Sequence, residues 1–132
     1  MIVALDIGLK RIGVAVCVGA DIVLPSEPIM RTSRNQAARD VAAMLAHKNA
    51  TKLIVGLPKG GSSEDEMNRR IKHFISLVDT SLEPIYIDES FSSFEARFKA
   101  TQKASKSHKN GQLDSLAACE ILKRYLRGAN EL

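Results

Sequence analysis

In the first 18 residues, MIVALDIGLKRIGVAVCV, one aspartate follows the apolar residues 2–5, and the apolar run resumes after the break at 7–11. Residues 2–6 and 12–18 are rich in Ile and Val, which predicts two strands, and the break around Gly8 predicts a hairpin between them. An ionised carboxylate beside a buried strand costs several kcal/mol unless something pairs with it. Asp6 therefore either makes an Asx-type turn with the Gly8 backbone or faces a partner that neutralises its charge.

The rest of the chain predicts an alternation of strands and helices. A third strand at 21–29 contains Pro25 and Pro28, which favour an edge position. The later elements are predicted as a helix at 33–47, a strand at 52–56, a helix opened by the Ser63/Glu66 capping box, a strand at 84–88, a helix at 93–104 opened by the Ser92/Glu95 capping box, and a helix at 112–127. The order β-β-β-α-β-α-β-α-α predicts an α/β fold. Its mixed five-stranded sheet has helices on both faces and late strands parallel to the first.

Length, charge and cysteine usage limit the kind of protein. A chain of 132 residues is expected to form one domain. Its net charge of +4 is compatible with an anionic partner such as nucleic acid. The apolar stretches fall short of the roughly 18 residues that span a bilayer, and no secretory signal pattern precedes the first strand. Cys17 and Cys119 lie in apolar patterns, which predicts reduced core thiols. We expect a cytoplasmic protein with no membrane partner.

Carboxylates from three distant segments are predicted to meet at one edge of the sheet. Asp6 ends the first strand, Asp88 and Glu89 end the last, and Asp114 lies in the first turn of the last helix. Each has an ordinary interpretation, as a turn residue, a residue ahead of a helix cap, or a carboxylate favoured by the helix dipole. Together they would repel one another unless a cation lay between them. Oxygen ligands without His or Cys suit Mg²⁺ or Mn²⁺, and two such ions can hydrolyse a phosphodiester.

Four stretches carry a family resemblance. ALDIGLKRIGVAV (4–16), IVGLPKGGSSEDE (54–66), DESFSSFEA (88–96) and LDSLAACEIL (113–122) resemble, in order and spacing, the motifs of the YqgF family. Its members are described as pre-16S rRNA nucleases and as Holliday junction resolvase-like proteins of the RNase H-like superfamily. The resemblance implies a single RNase H-like nuclease domain over residues 1–132. It also implies metal-dependent phosphodiester hydrolysis.

The same resemblance assigns roles to the carboxylates. The family's catalytic and metal-binding positions fall on Asp6, Glu89 and Asp114, with Asp6 bridging two ions and the other two each holding one. Asp88 precedes the catalytic position and is expected to be structural. The sequence departs from the family where Ser90 replaces the usual arginine, and in the loop that begins at Lys59. These departures bear on how the substrate is held.

Basic residues near the predicted carboxylate cluster are candidates for phosphate contacts. The candidates are Lys10, Arg11, Lys59, Lys106, His108 and Lys109. Residues 96–113 contain no acid, although such a stretch is also typical of a solvated face. Only 5% of the residues are aromatic and none is Trp, which argues against a platform of stacked bases. Binding would depend on backbone charge and would weaken with salt.

Several functions are compatible with these residues. The leading hypothesis is a metal-dependent nuclease that acts on structured RNA in pre-16S rRNA maturation, as a monomer or homodimer. A second keeps the chemistry but cuts branched DNA, which requires two active sites in a dimer. A third is a noncatalytic rRNA-binding or ribosome-assembly protein, which the departure at Ser90 favours. An actin-like ATPase would need a second domain. A ribosomal or assembly partner is compatible with the first and third.

Overall fold

The computed structural model describes residues 1–19, 22–58, 64–89 and 111–128. The strands and helices in these ranges are β1 (Ile2–Ile7), β2 (Arg11–Val18), β3 (Ile22–Met30), α1 (Arg34–His47), β4 (Lys52–Pro58), α2 (Glu64–Ser76), β5 (Pro84–Glu89) and α3 (Gly111–Leu126). The predicted helix at 93–104 and both the Ser63 and Ser92 caps lie outside the described residues. The predicted order of the remaining elements is confirmed.

The five strands form one mixed sheet in the order β3-β2-β1-β4-β5. The first three strands pair antiparallel, and β4 and β5 pair parallel to β1. The predicted mixed sheet is confirmed, and so is the edge position of β3. Pro25 and Pro28 are tolerated there because an edge strand leaves some backbone N–H positions without a ladder partner.

Two apolar clusters cover the two faces of the sheet. One joins α1 and α2 to side chains such as Val3, Leu5 and Leu53. The other joins α3 to Ala4, Ile54 and neighbouring side chains. Successive side chains of a strand point to opposite faces, so this division assigns every strand residue to the α1/α2 face or to the α3 face. Helices therefore lie on both faces, as predicted.

The strand predicted at 52–56 is two residues longer than expected. Leu57 and Pro58 continue the parallel ladder opposite Asp88 and Glu89. Both residues are buried, so tertiary pairing overrides the turn tendency of the Gly-Leu-Pro sequence. The longer ladder carries β4 and β5 to the carboxyl edge of the sheet.

The two cysteines are free and buried, in agreement with the sequence prediction. Burial raises the pKa of the Cys119 thiol, so the thiol stays protonated at neutral and mildly alkaline pH. We expect native protein at pH 8 to react with iodoacetamide at Cys119 much more slowly than urea-unfolded protein does. Mass spectrometry of the alkylated peptide measures this. Equal rates in the two states would contradict the buried position.

Among the helices that the structure describes, none is long and apolar enough to cross a membrane.

Candidate metal centre and nucleic-acid interface

Asp6 lies on the α3 face of the sheet, near the carboxyl end of β1. Val3 and Leu5 belong to the cluster under α1 and α2, whereas Ala4 belongs to the cluster under α3. By strand alternation Asp6 shares the face of Ala4. The residue is half-buried. The carboxylate is thus at the edge where β1 leaves the sheet.

Glycines flank Asp6 on both neighbouring strands. Gly13 is its register partner on β2. On the other side, Gly56 follows Val55, which is the register partner of Leu5. Both glycines are buried and share the face of Asp6, because Ala15 and Ile54, two residues away on their strands, belong to the α3 cluster. A strand glycine often marks close approach of a ligand or of another backbone, and here neither strand neighbour brings a Cβ to the face of Asp6.

A buried serine fixes the first turn of α3 against the sheet. Ser115 is only 1% exposed. The β2–β3 register shifts between Ile12 and Val14, which leaves backbone groups outside the regular ladder. The Ser115 Oγ accepts a hydrogen bond from the Val14 N–H (3.3 Å) and donates one to the Ser26 carbonyl (2.7 Å). One hydroxyl therefore bridges the irregular part of the ladder.

This bridge brings the Asp114 backbone near the Asp6 ladder. Asp114 immediately precedes Ser115 in α3. Val14, which donates to Ser115, immediately follows Gly13, the register partner of Asp6. Two segments more than 100 residues apart in sequence thus meet across a serine hydroxyl.

The end of β5 separates the two neighbouring acidic residues. Ile85 and Ile87 belong to the α3 cluster, and Tyr86 packs against the opposite one. Asp88 therefore shares the face of Tyr86, away from Asp6, and its carbonyl accepts a hydrogen bond from the Arg124 guanidinium (3.0 Å). Position 89 is the next position of β5 on the α3 face.

The structure thus brings the backbones of the predicted ligands Asp6, Glu89 and Asp114 to one edge of the sheet. The side chains of Glu89 and Asp114 lie outside what the structure describes. Among the side chains that it does describe, no group of three or more His, Cys, Asp or Glu residues is arranged to hold a metal ion. The metal site stays a prediction.

The β1–β2 hairpin turn carries two of the predicted phosphate contacts. Lys10 is exposed and Arg11 half-buried. The Gly8 N–H donates to the Arg11 carbonyl (3.0 Å), and a Cβ at Gly8 would lie 2.5 Å from that oxygen, so the tight turn requires glycine. The other predicted contacts, Lys59, Lys106, His108 and Lys109, lie outside the described residues.

Sequence reasoning missed a cluster of arginines beside this turn. A groove of about 790 Å³ lies between the hairpin turn, the start of α1 and α2, and Arg31, Arg34, Arg69 and Arg70 all line it. The available signal was the two short basic groups, RTSR at 31–34 and RR at 69–70. They are distant in sequence, so only the packing of α1 and α2 on one sheet face brings them together.

Arg31 joins the hairpin turn to α2 on one side of this groove. Its guanidinium donates to the Gly8 carbonyl (2.6 Å) and lies 4.9 Å from the centre of the Phe74 ring. Burial lowers the pKa of Arg31, and the positive charge of Arg34 lowers it further. Arginine stays protonated at any physiological pH. The lowered pKa therefore means that the charged guanidinium is held at a cost in free energy, which a bound anion would reduce.

The architecture defines the class of protein. A solved structure described as T. thermophilus RuvC in complex with Holliday junction substrate matches this chain with a TM-score of 0.51 over 100% of both chains. At 12% sequence identity, that match shows the fold alone. The protein is therefore an α/β protein with the RNase H-like fold that the sequence predicted.

The family model described as "RuvX: Holliday junction resolvase" matches residues 1–128, and the chain belongs to that family. Curated relatives carry the name "Putative pre-16S rRNA nuclease". The one from Sulfurovum sp. is 51% identical over 123 residues, covering 93% of this chain and 95% of the relative. The one from Campylobacter lari is 52% identical over 122 residues (92% and 94%), and that from Helicobacter hepaticus 42% over 131 residues (96% and 94%). The resemblance to the YqgF family is confirmed.

Proposed function

We propose that this protein is a metal-dependent nuclease that hydrolyses phosphodiester bonds of RNA during maturation of pre-16S rRNA. One observation carries the chemistry: Asp6 lies near the carboxyl end of the central strand β1, flanked by two glycines, on the sheet face toward which position 89 and the first turn of α3 converge. The names of the relatives support the substrate.

The residues fit a divalent cation. Carboxylates without nearby His or Cys are the ligand type that Mg²⁺ and Mn²⁺ prefer. Gly13 and Gly56 bring no Cβ to the sheet face beside Asp6, which is compatible with close approach of an ion. Asp6, Glu89 and Asp114 would hold the ions, two by the family resemblance. When bound, the ions would supply an activated water and stabilise the oxygen that leaves phosphorus.

The protein's own residues would position the metal ligands and supply positive charge for the substrate's phosphates. Asp6 is fixed by a central strand, and Ser115 holds the turn of α3 that carries Asp114. Rigid placement of ligands on strands and a pinned helix gives a more precise site than loops would give. Lys10 and Arg11, which follow Asp6 in the β1–β2 hairpin, would bind the substrate's phosphates and hold the RNA strand against the carboxylates.

The direct test is cleavage of an end-labelled precursor 16S RNA fragment with Mg²⁺, Mn²⁺ or EDTA. We expect cutting with either ion and none with EDTA. Binding of the RNA with no cutting under any metal would contradict the proposal and favour a noncatalytic role in ribosome assembly.

Branched DNA is the second candidate substrate, because the family model and the fold neighbour both carry Holliday junctions in their descriptions. A labelled four-way junction belongs in the same assay. Symmetric cleavage needs two active sites, so the protein's mass in solution must then correspond to a dimer. Cleavage of the junction without cleavage of the RNA would show that branched DNA, and not RNA, is the substrate.

A substitution at Gly13 tests the space beside Asp6. Gly13→Val places a branched side chain on the α3 face next to the carboxylate. We expect Mn²⁺ binding to weaken by about 10- to 100-fold, as for other changes next to metal ligands. Because Gly13 is buried at an irregular point of the β2–β3 ladder, the melting temperature in EDTA must first show that the variant folds.

The measurement is the rise in melting temperature on adding Mn²⁺, compared between wild type and variant. Gly13→Ala is the milder companion if the valine variant melts too low. A wild-type Mn²⁺ response in both variants would contradict the use of this space by an ion.

A further inference from the structure

The arginine groove, defined by Arg31, Arg34, Arg69 and Arg70, lies on the opposite sheet face from Asp6 but at the same edge. Ile7, Gly8 and Leu9 of the hairpin turn form one side of it, and α2 forms the other. Asp6 is only two residues from Gly8. A nucleic-acid strand bound in the groove would have to pass over the hairpin turn to reach the carboxylates.

The residues that line the groove carry more positive charge than negative charge. Four arginines line it against one glutamate, Glu66. That glutamate is already paired with Arg70 (2.7 Å). Within the described parts of the chain, neither a hydrogen bond nor an ion pair holds the guanidinium of Arg34 or Arg69. Two guanidinium groups are therefore available to an anion.

The position of Arg34 at the start of α1 makes the clustering of positive charge in the groove less favourable still. Arg34 opens α1, whose first turn contains no acidic residue. A cation at a helix N-terminus is unfavourable because the helix dipole is positive there. Arg34 also lies close enough to Arg31 to lower its pKa. Such a local conflict is expected where the charges serve a ligand.

Apolar side chains lie among these charges. Leu9 is 80% exposed at the tip of the hairpin, and Met67 is 40% exposed on α2. Both line the groove. A ligand that fits must present anionic groups and an apolar surface together. An unpaired nucleotide does so, since its phosphates are charged and its base has an uncovered face, whereas duplex bases are stacked and covered.

We propose that the arginine groove binds an unpaired segment of the RNA substrate. Arg34 and Arg69 contact its phosphates, and Leu9 and Met67 contact a base or ribose of the same segment. This inference rests on the proposed function, because it states which part of the proposed RNA substrate the protein binds away from the carboxylates. The low aromatic content is no obstacle, since two aliphatic side chains hold one nucleotide without a stacking platform.

The test compares two double variants of equal charge change. Arg34→Ala/Arg69→Ala removes two groove arginines, and Arg39→Ala/Arg127→Ala removes two exposed arginines that do not line the groove. The probes are a fluorescein-labelled precursor 16S RNA fragment with an unpaired tail and the same fragment with the tail paired. We expect the groove variant to bind the unpaired form on the order of tenfold more weakly. The slope of log Kd against log salt should fall in magnitude by about 1.4, for two phosphate contacts on a single strand.

A third variant separates apolar contact from charge. Leu9→Asn should weaken binding of the unpaired probe and leave the salt slope unchanged, because no phosphate contact is removed. Under cleavage conditions, the groove variant should lose more in KM than in kcat. Melting temperatures in EDTA check that all variants are folded.

The outcomes distinguish failure of the groove proposal from failure of the proposed function. If the two double variants bind both probes equally, the groove is not a nucleic-acid site, while metal-dependent cleavage by wild type leaves the proposed function intact. The same conclusion follows if the groove variant changes only the binding of an acidic peptide such as poly-Glu. If wild type neither binds nor cuts any of these nucleic acids, the groove proposal and the proposed function both fail.

Discussion

Replacing Asp6 with Asn is expected to reduce metal-dependent RNA cleavage by at least about 10³-fold, because under the proposed function the change removes a carboxylate that would hold the metal ions. Asparagine keeps the size of the side chain and its ability to form an Asx-type turn. If Asp6 were only a turn residue, the variant would therefore remain active. The measurement is the single-turnover rate with Mn²⁺ on the precursor 16S fragment.

Stability gives an independent readout of the same substitution. Asparagine matches aspartate in size and its side-chain oxygen accepts hydrogen bonds as the carboxylate does, so Asp6→Asn should leave the melting temperature in EDTA close to that of wild type. The rise in melting temperature on adding Mn²⁺ should be lost. A retained Mn²⁺ response would remove Asp6 from the metal site.

Asp88→Asn is the matched control. Asp88 lies at the same edge of the sheet but on the α1/α2 face, beyond Ile87. We expect it to retain the Mn²⁺ response and cleavage close to the wild-type rate. Loss of activity in Asp88→Asn equal to that in Asp6→Asn would contradict the assignment of the catalytic carboxylate to position 89.

Ser115→Ala is expected to have the largest effect on stability, a loss of about 2–4 kcal/mol in the free energy of unfolding. The hydroxyl is buried and joins the Val14 N–H to the Ser26 carbonyl. Its removal leaves a donor and an acceptor without their partner at an irregular part of the sheet, where the regular ladder does not supply one. Urea unfolding measures the loss.

The same change should also reduce cleavage, since Asp114 precedes Ser115 in the first turn of α3. Ser115 is a positioning residue here, so we expect kcat to fall even at temperatures where the variant is fully folded. Higher Mn²⁺ should recover part of the activity, because a misplaced ligand weakens metal binding. Ser76→Ala, at an exposed serine whose hydroxyl donates to the His73 carbonyl in the same helix, should change stability by no more than about 0.5 kcal/mol. Equal effects of the two alanine variants would contradict the bridging role.

The local elements followed closely from the sequence. Val- and Ile-rich runs predicted β1 and β2, and two prolines predicted the edge position of β3. The turn at Gly8 was also predicted, from the break between the two apolar runs, and the structure adds that a Cβ there would collide with the Arg11 carbonyl. These features depend on backbone conformation and side-chain periodicity, which neighbouring residues determine.

The candidate site was only partly predictable. Asp6 stood out as one charge in an apolar run, and the family resemblance supplied Glu89 and Asp114. The flanking role of Gly13 and Gly56 was not predicted, because it requires the register of β1 against two different strands. The end of β4 was predicted two residues early for the same reason, since pairing with β5 holds Leu57 and Pro58 in the sheet.

The sequence by itself thus determined which segments are strands and helices, the α/β class, and the carboxylate that most needs a partner. Only the tertiary structure decided that Ser115 bridges β2 and β3, that Asp88 and Asp6 lie on opposite faces, and that two distant arginine pairs line one groove. Periodicity tells which side of an element is apolar. Contacts between residues tens of positions apart depend instead on strand order, register and helix packing, which the whole chain determines together.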